Sequence, residues 1–336
     1  MAVSVIGDRY TLDGESLTSQ ACELLSELIF EPNTENGAFL EEDVQREKRK
    51  AIEHIQGEKS EKRIYAKQRL IEEMYKGEPF GLPKCGTEED VEKITGKDLY
   101  VAWERMLKSA YCFVDVVSSA LPTGFFDEIS KKFSTIEREN ITVMGKTAPT
   151  KKADKVNTVT ERLDVAQGKL VMGFSMEKSE GSNDLLPALV MTDIFGGAPY
   201  SRLFTNVREK MSLCYYCSAS SVRVKGLLTV DSGVEEANVD KASEEILNQL
   251  EIVKNGEFTD FEYESSLKGI ADSLRTYNDS QEHLDMWYCV KAVSGNFISP
   301  DETAEKIASI TKEEIVAAAK NVQLHTVYRL LPKGVK

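Results

Sequence analysis

Histidine is scarce in this chain of 336 residues: His54, His283 and His325 are the whole complement. None of the three stands in an H-x-x-E-H motif, the spacing that puts two zinc-ligating imidazoles and a general-base carboxylate on one face of a helix. The nearest match, Lys50-Ala51-Ile52-Glu53-His54, has lysine in the first ligand position. An ammonium group has no lone pair to give a metal at neutral pH, so His54 reads as a solvated or helix-capping side chain. Positive charge is also short: 42 Lys and Arg stand against 56 Asp and Glu, a formal charge of −14. That balance argues against nucleic acid and anionic membrane as general partners, and makes a basic peptide easier to hold than an acidic one. No apolar run approaches the roughly 18 residues a bilayer-spanning helix needs. The opening MAVSVIGDRYTLDG has neither a basic start nor a long apolar core, so no signal peptide is expected. The six cysteines, Cys22, Cys85, Cys112, Cys214, Cys217 and Cys289, are scattered as small hydrophobes would be in a reducing cytoplasm. Cys214 and Cys217 form a C-x-x-C, but they open a strand rather than a helix N-terminus, and no second pair completes a zinc site.

What the chain does have is concentrated between Phe195 and Ser220, FGGAPYSRLFTNVREKMSLCYYCSAS. Gly196, Gly197 and Pro199 suit a tight loop that approaches another segment closely, and Ser201 is the expected N-cap of the helix that follows. Leu203, Val207 and Met211, with Phe204 beside them, make an apolar stripe at helical spacing. Arg208 falls at the border of that stripe, so its stem can pack while its guanidinium reaches a groove. After Leu213 the period becomes two: Tyr215, Cys217 and Ala219 face one way, and Tyr216, Ser218 and Ser220 the other.

Helical periodicity runs from Leu17 to just before Pro32, then from Glu41 to about Lys76 with a bend near Gly57. Thr87 opens a short helix, and Lys97 to Ser109 is another. Tyr111 to Val117, β-branched and aromatic, reads as a buried strand, and Gly124 to Phe133 as a short helix. The polar stretch that ends near Asn157, with Lys151 to Lys155 dense in charge, suits a solvated linker. Beyond it come strands at Gly168–Phe174, Gly226–Gly233 and His325–Leu331, a helix over 183–195, and four helical patterns between Asp240 and Val322. The expected organisation is two domains, 1–140 and 158–336, joined by residues 141–157.

The two domains repeat each other in pattern. VEKITGKDLYVAWERMLKSAYCFVDVVSSALP from Val91 and AEKIASITKEEIVAAAKNVQLHTVYRLLP from Ala304 both read as a short helix, an Ile-Thr cap, a longer helix, a strand and a Leu-Pro stop. Thr95 and Thr311 align at 311 − 95 = 216 residues. With that offset, the counterpart of Gln167–Tyr216 would precede Met1, so the first domain reads as N-terminally incomplete and as carrying exposed apolar surface that favours self-association.

The glycine pair, SRLF, NVREK and the Tyr seven residues after Arg208 resemble the second half of the pitrilysin/insulinase zinc peptidases and of mitochondrial-processing-peptidase-like proteins. IYAKQRLIEEM at Ile64–Met74, AQGKLVMGF at Ala166–Phe174 and DSGVE at Asp231–Glu235 look most like a bacterial subgroup linked to modification of elongation factor P, whose members lack the zinc motif. The resemblance implies two α+β domains of pitrilysin type, each a mostly antiparallel sheet with helices on one face. It implies that Arg208 and Tyr215 hold a substrate backbone, with Gly196 and Gly197 in the position of a substrate-guiding glycine loop. Active members carry H-x-x-E-H in the part of the first half that this chain does not show, so no catalytic residue, metal ligand or cofactor is expected here. The implied role is a non-catalytic subunit that pairs with a zinc-bearing homologue and helps hold peptide in a shared chamber. A scaffold without hydrolysis, and a fragment of an active zinc peptidase, remain the alternatives.

Overall fold

The computed structural model describes residues 1–118, 124–141, 147–176 and 185–333. Residues 142–146 of the expected linker, the first two residues of the helix expected from Asn183 and the first domain's Leu-Pro stop lie outside them. Contacts divide the chain into two compact units that do not follow sequence order. The first comprises Met1–His54, Thr87–Gly145 and Ser280–Val293, and the second Ile55–Gly86, Lys146–Asp279 and Ser294–Lys336.

The second unit is built on a five-stranded sheet in the order β3-β7-β4-β6-β5. Its strands are β3 (Asn157–Leu163), β4 (Gly168–Ser175), β5 (Cys214–Val222), β6 (Leu227–Val234) and β7 (Gln323–Pro332). β3 runs parallel to β7, and every other pairing is antiparallel. β6 is buried along its whole length, as a central strand covered on both faces must be. One cover is the helix α3 (Lys62–Met74), whose Ala66 and Leu70 are fully buried against Val171, Tyr328 and Leu330. Gly173 lets α3 come so close: a methyl group there would stand 2.8 Å from Met74 Sδ and 3.1 Å from Leu70 Cδ2. On the opposite face of β4, Leu170, Met172 and Phe174 are equally buried. The expected break at Gly57 falls elsewhere. α2 (Glu41–Ser60) continues through it, and Glu61 caps α3 by accepting from the Arg63 amide at 3.1 Å.

Polar contacts fasten α3 as firmly as the apolar ones. Asp231 on β6, 2% exposed, accepts from Arg63 of α3, pairs with Lys67 Nζ at 3.0 Å and accepts from the Ser218 hydroxyl at 3.1 Å. A buried carboxylate is stable only when paired in this way. The Arg63 guanidinium also lies over the Tyr216 ring, 4.3 Å from its centroid. At the far side of the sheet, Glu161 on β3 accepts from Tyr65 at 2.8 Å and from Tyr328 at 2.5 Å. Burial raises the Glu161 pKa, but these two hydroxyls and Arg69 outweigh it and hold the carboxyl below its ordinary value. The Tyr65 phenol, desolvated and facing that carboxylate, is pushed up to about 12.

The sequence signals of the remaining helices are capping boxes, in which a Thr or Ser side chain and the acidic residue three positions on bond each other's amides. They open α4 (Glu88–Lys93) at Thr87, α5 (Gly96–Ser109) at Thr95, α9 (Asp260–Arg275) at Thr259, α11 (Pro300–Ala308) at Ser299 and α12 (Lys312–Lys320) at Thr311. Two capped helices in tandem therefore recur in both units. α7 (Leu185–Thr192) precedes the glycine pair, and with α8 (Val239–Lys254) and α10 (Gln281–Ser294) added to α9, α11 and α12, five helices occupy the stretch after Asp240 where the sequence shows four patterns.

The first unit is helical. α1 (Leu17–Phe30) and α6 (Phe125–Ser134) share a small core of Cys22, Phe125 and Ile129, and Trp103 of α5 donates to the Ile29 carbonyl at 2.9 Å. Among the described residues its only strands are the two-residue pair β1 (Thr34–Glu35) and β2 (Ala38–Phe39). The expectation of a sheet in each domain is thus not met in the first unit, and the five-stranded sheet of the second is covered on both faces rather than by helices on one. Residues 1–16 carry a single 3-10 turn, at Asp8–Tyr10. Tyr111–Val117 is irregular, because β-branched residues make a strand only against a neighbour and no described strand lies beside them.

Two outcomes follow. Leu70→Ala removes a fully enclosed side chain from the α3–sheet contact and should lower unfolding free energy by about 2–5 kcal/mol in urea titration. For Glu161 the folded pKa is lowered, so its contribution is complete above the unfolded value near 4.3 and is lost as pH falls through the folded one. Glu161→Gln should therefore flatten the acid limb of stability against pH below about pH 5, measured by urea midpoints at a series of pH values.

Candidate functional site

The segment between α7 and β5 is wound more widely than an α-helix. Asp193–Gly197 and Leu203–Lys210 are π turns, and the amide of Met211 reaches back five residues to the Asn206 carbonyl at 3.0 Å. Wider winding breaks the expected stripe: Leu203 and Val207 are fully buried, but Met211 is 49% exposed. Ser212 then turns the chain through a left-handed conformation, φ 50°, into β5. Ser201 does not act as a side-chain cap. Its carbonyl takes the Thr205 amide, while its buried hydroxyl has no hydrogen-bond partner among the described residues.

β5 carries a β-bulge at its start. Cys214 lies opposite Val234 and Tyr216 opposite Gly233, so Tyr215 is the extra residue. The bulge takes Tyr215 out of the expected alternation, which holds from Tyr216 on: Cys217 and Ala219 share the buried face with Cys214, Tyr216 and Ser218 meet Arg63 on the other, and Tyr215 swings out to 60% exposure. The Tyr215 hydroxyl donates to Glu235 Oε1 at 3.1 Å, and that carboxylate raises its pKa. Glu235 closes the DSGVE run at the end of β6.

Arg208 comes from the second π turn. Its guanidinium lies over the Phe204 ring, 4.5 Å from the centroid, and Nη1 is 3.5 Å from Glu209 Oε1. Its side chain is 38% exposed, so the fork is open to solvent. No hydrogen bond joins Arg208 to Tyr215. Each is held by an acidic neighbour, and the two are linked through the turn at Ser212. The two glycines separate. Gly196 is buried, with room for no side chain, since a methyl would stand 2.7 Å from Ala219 Cβ and 2.8 Å from the Ala219 amide. Gly197 is exposed beside Asp193.

Chemically, this corner offers two solvent-facing donors, a planar guanidinium and a phenol, at the head of an edge strand. Among the described residues β5 pairs with β6 alone, so its other edge can take an extended chain. The histidines supply no hydrolytic centre. His325 bonds Thr326 at 2.8 Å and burial lowers its pKa, and the one described trio of possible metal ligands, Asp115, Asp285 and Cys289, contains no histidine. The zinc site of H-x-x-E-H peptidases therefore does not fit the residues present.

Sequence reading missed the thiol pair beneath this corner. The bulge places the Cys214 and Cys217 thiols on one buried face. Bonding from Cys217 outweighs burial, and with Ser232 and the charge of Arg208 brings the Cys214 thiol down to about 7. The signal was the C-x-x-C itself; the bulge that makes it a pair is invisible in the periodicity. No helix among the described residues is long and apolar enough to cross a membrane.

The chain is similar to proteins of one family. The family model "Peptidase M16 inactive domain" matches residues 93–270, just over half of the chain. A probable inactive metalloprotease of Bacillus subtilis, YmfF, is 31% identical over 328 residues, covering 98% of this chain and 76% of that protein. An uncharacterised zinc protease of the same organism, YmxG, is 25% identical over 76% of this chain and 60% of its own length. Among solved structures, a conserved protein from Enterococcus faecalis superposes with a TM-score of 0.88 at 23% identity, covering 99% of this chain and 78% of that one. A peptidase M16 inactive domain from Pseudomonas fluorescens gives 0.73 at 15% identity, over 95% and 76% of the two chains. With its mixed helix-and-sheet fold and without the zinc motif, the chain belongs to the peptidase M16 family as an inactive-domain homologue.

Proposed function

We propose that this chain is a non-catalytic M16 subunit that holds an extended peptide while a zinc-bearing homologous subunit cleaves it. The carrying observation is the exposed pair at the head of β5. The Arg208 fork and the Tyr215 hydroxyl both face solvent beside an open strand edge, in a chain whose histidines form no zinc motif. A peptide laid along that edge would gain main-chain hydrogen bonds from β5, with Arg208 and Tyr215 trading Glu209 and Glu235 for backbone carbonyls or a carboxylate. Exposed Gly197 leaves room for such a strand, and Gly196 keeps the π turn pressed on Ala219. In this reading zinc belongs to the partner alone. The thiols Cys85, Cys112 and Cys289, free and exposed, suit the cytoplasm.

A second reading is supported by the first unit, where Leu24, Leu28, Val101, Met106 and Met286 are each about half exposed or more. Such a surface suits a scaffold that associates with another copy or a folded partner without hydrolysis, with elongation factor P modification as its setting.

The test mixes the chain with a zinc-bearing M16 homologue and follows peptide cleavage. Stimulated cleavage that drops about tenfold or more with Arg208→Ala, and by a smaller factor with Tyr215→Phe, is the expected result, at the 1.5–3 kcal/mol worth of a charged hydrogen bond. Complex formation with cleavage indifferent to both substitutions would favour the scaffold.

A further inference from the structure

The bulge at Tyr215 alters the geometry of the C-x-x-C. In an unbroken strand, residues three apart point to opposite faces. Here Cys214 and Cys217 lie opposite Val234 and Ser232, positions two apart on β6, so the extra residue puts both thiols on the same face. Two strand steps set the Cα atoms roughly 6.6 Å apart, inside the upper end of the disulfide range of about 4.4–6.8 Å. Both thiols are buried on that shared face, and each shifts the other's proton affinity.

The surroundings divide the pair into two roles. Cys214 is at the rim, 9% exposed, within reach of the Arg208 charge, and its thiolate is favoured near neutral pH. Cys217 is deeper, 4% exposed, and its neighbour's thiolate and its burial hold it protonated. Ser232, fully buried and opposite Cys217 across the strand pair, has no hydrogen-bond partner among the described residues, and its hydroxyl favours both thiol anions. An unfilled hydroxyl beside two buried thiols can stabilise sulfur charge as well as pack. The other four cysteines lack this setting. Cys22 and Cys289 are pushed up by burial, and Cys85 and Cys112 are exposed singly.

We propose that Cys214 and Cys217 form a redox dithiol that closes to an intrastrand disulfide by exchange with a low-molecular-weight disulfide of the glutathione class. The Cys214 thiolate attacks one sulfur of the disulfide, whose S–S bond breaks and releases one thiolate. Cys217, giving up its proton to solvent or to that thiolate, then attacks Cys214 sulfur and expels the second. The protein dithiol loses two protons and two electrons, and the disulfide becomes two thiols. The ring so closed contains Tyr215, so oxidation fixes the bulge. If Tyr215 holds peptide as proposed above, it changes that hold; the sulfur chemistry stands without that reading.

The experiment incubates the reduced, native chain with oxidised glutathione at neutral pH, quenches with an alkylating reagent and maps each cysteine by peptide mass spectrometry. The expected result is a Cys214–Cys217 disulfide, with Cys85, Cys112 and Cys289 carrying at most glutathione adducts. Cys217→Ser should stop at a glutathione adduct on Cys214. Arg208→Gln should slow the reaction several-fold at neutral pH and move its pH midpoint upward. Cys214 and Cys217 remaining fully alkylatable, or reacting no faster than buried Cys22, would overturn the proposal. Should Cys217→Ser fail to fold, the wild-type map and the Arg208→Gln rate decide by themselves. Since the readout is sulfur and not peptide cleavage, its failure is separate from failure of the peptide-holding role.

Discussion

The second unit depends on one buried charge. Asp231, in the middle of a fully covered strand, is tolerable only because Arg63 and Lys67 descend on it from α3 and Ser218 supplies a further donor. That requirement fixes the position of α3 along the sheet, which in turn brings Leu70 and Met74 over Gly173. It also places Arg63 on the Tyr216 ring, so the outward face of β5 is held from the same helix. With Tyr216 pinned on one face and Cys217 and Ala219 packed on the other, the residue before them has nowhere to go but out. The exposure of Tyr215 is a consequence of how tightly the rest of β5 is engaged.

Helix positions were legible because their signals are local. Thr87, Thr95, Ser299 and Thr311 each stand three residues before an acidic partner, and all four cap the helices that the sequence pattern implied. The repeat was legible for the same reason. Ser299 follows Thr87 by 212 residues (299 − 87) and Thr311 follows Thr95 by 216, the small drift that insertions produce. What the sequence hid was non-local. Tyr111–Val117 has the composition of a strand, but composition does not supply a neighbour, and its tandem counterpart β7 is a strand because β3 and β4 flank it.

The candidate site shows a finer version of that limit. Arg208 was placed at the edge of a helical face, and it is indeed half in and half out. Yet Met211, assigned to the same face by four-residue spacing, is exposed, because a helical wheel assumes α winding and the segment adopts π winding. A bulge has the same effect on a strand. One inserted residue at Tyr215 reverses the facing of Cys214, so that two cysteines read as inert packing share one buried face. Neither departure changes residue composition, and both arise where the chain turns through Ser212 between two tightly packed elements. Such local irregularities recur at functional sites because they re-aim particular side chains without disturbing the scaffold.

This asymmetry bears on why a chain without the zinc motif would keep the corner at all. Residues that only pack could drift among hydrophobes of similar size at small cost. The polar ends of Arg208, Tyr215 and Glu235 reach solvent, where a surface ion pair or a lone exposed hydrogen bond is worth little to stability. The fold nevertheless spends a left-handed Ser212, two π turns and a bulge on presenting them. Strain of that kind, of order 1–3 kcal/mol at each such residue, persists where surrounding structure over-determines it. Here it is over-determined by Asp231 and α3 on one face and by Gly196 on the other. The scaffold is fixed on both faces and the presented groups are held only by exchangeable surface contacts, which is the arrangement a binding surface needs and a purely structural corner does not.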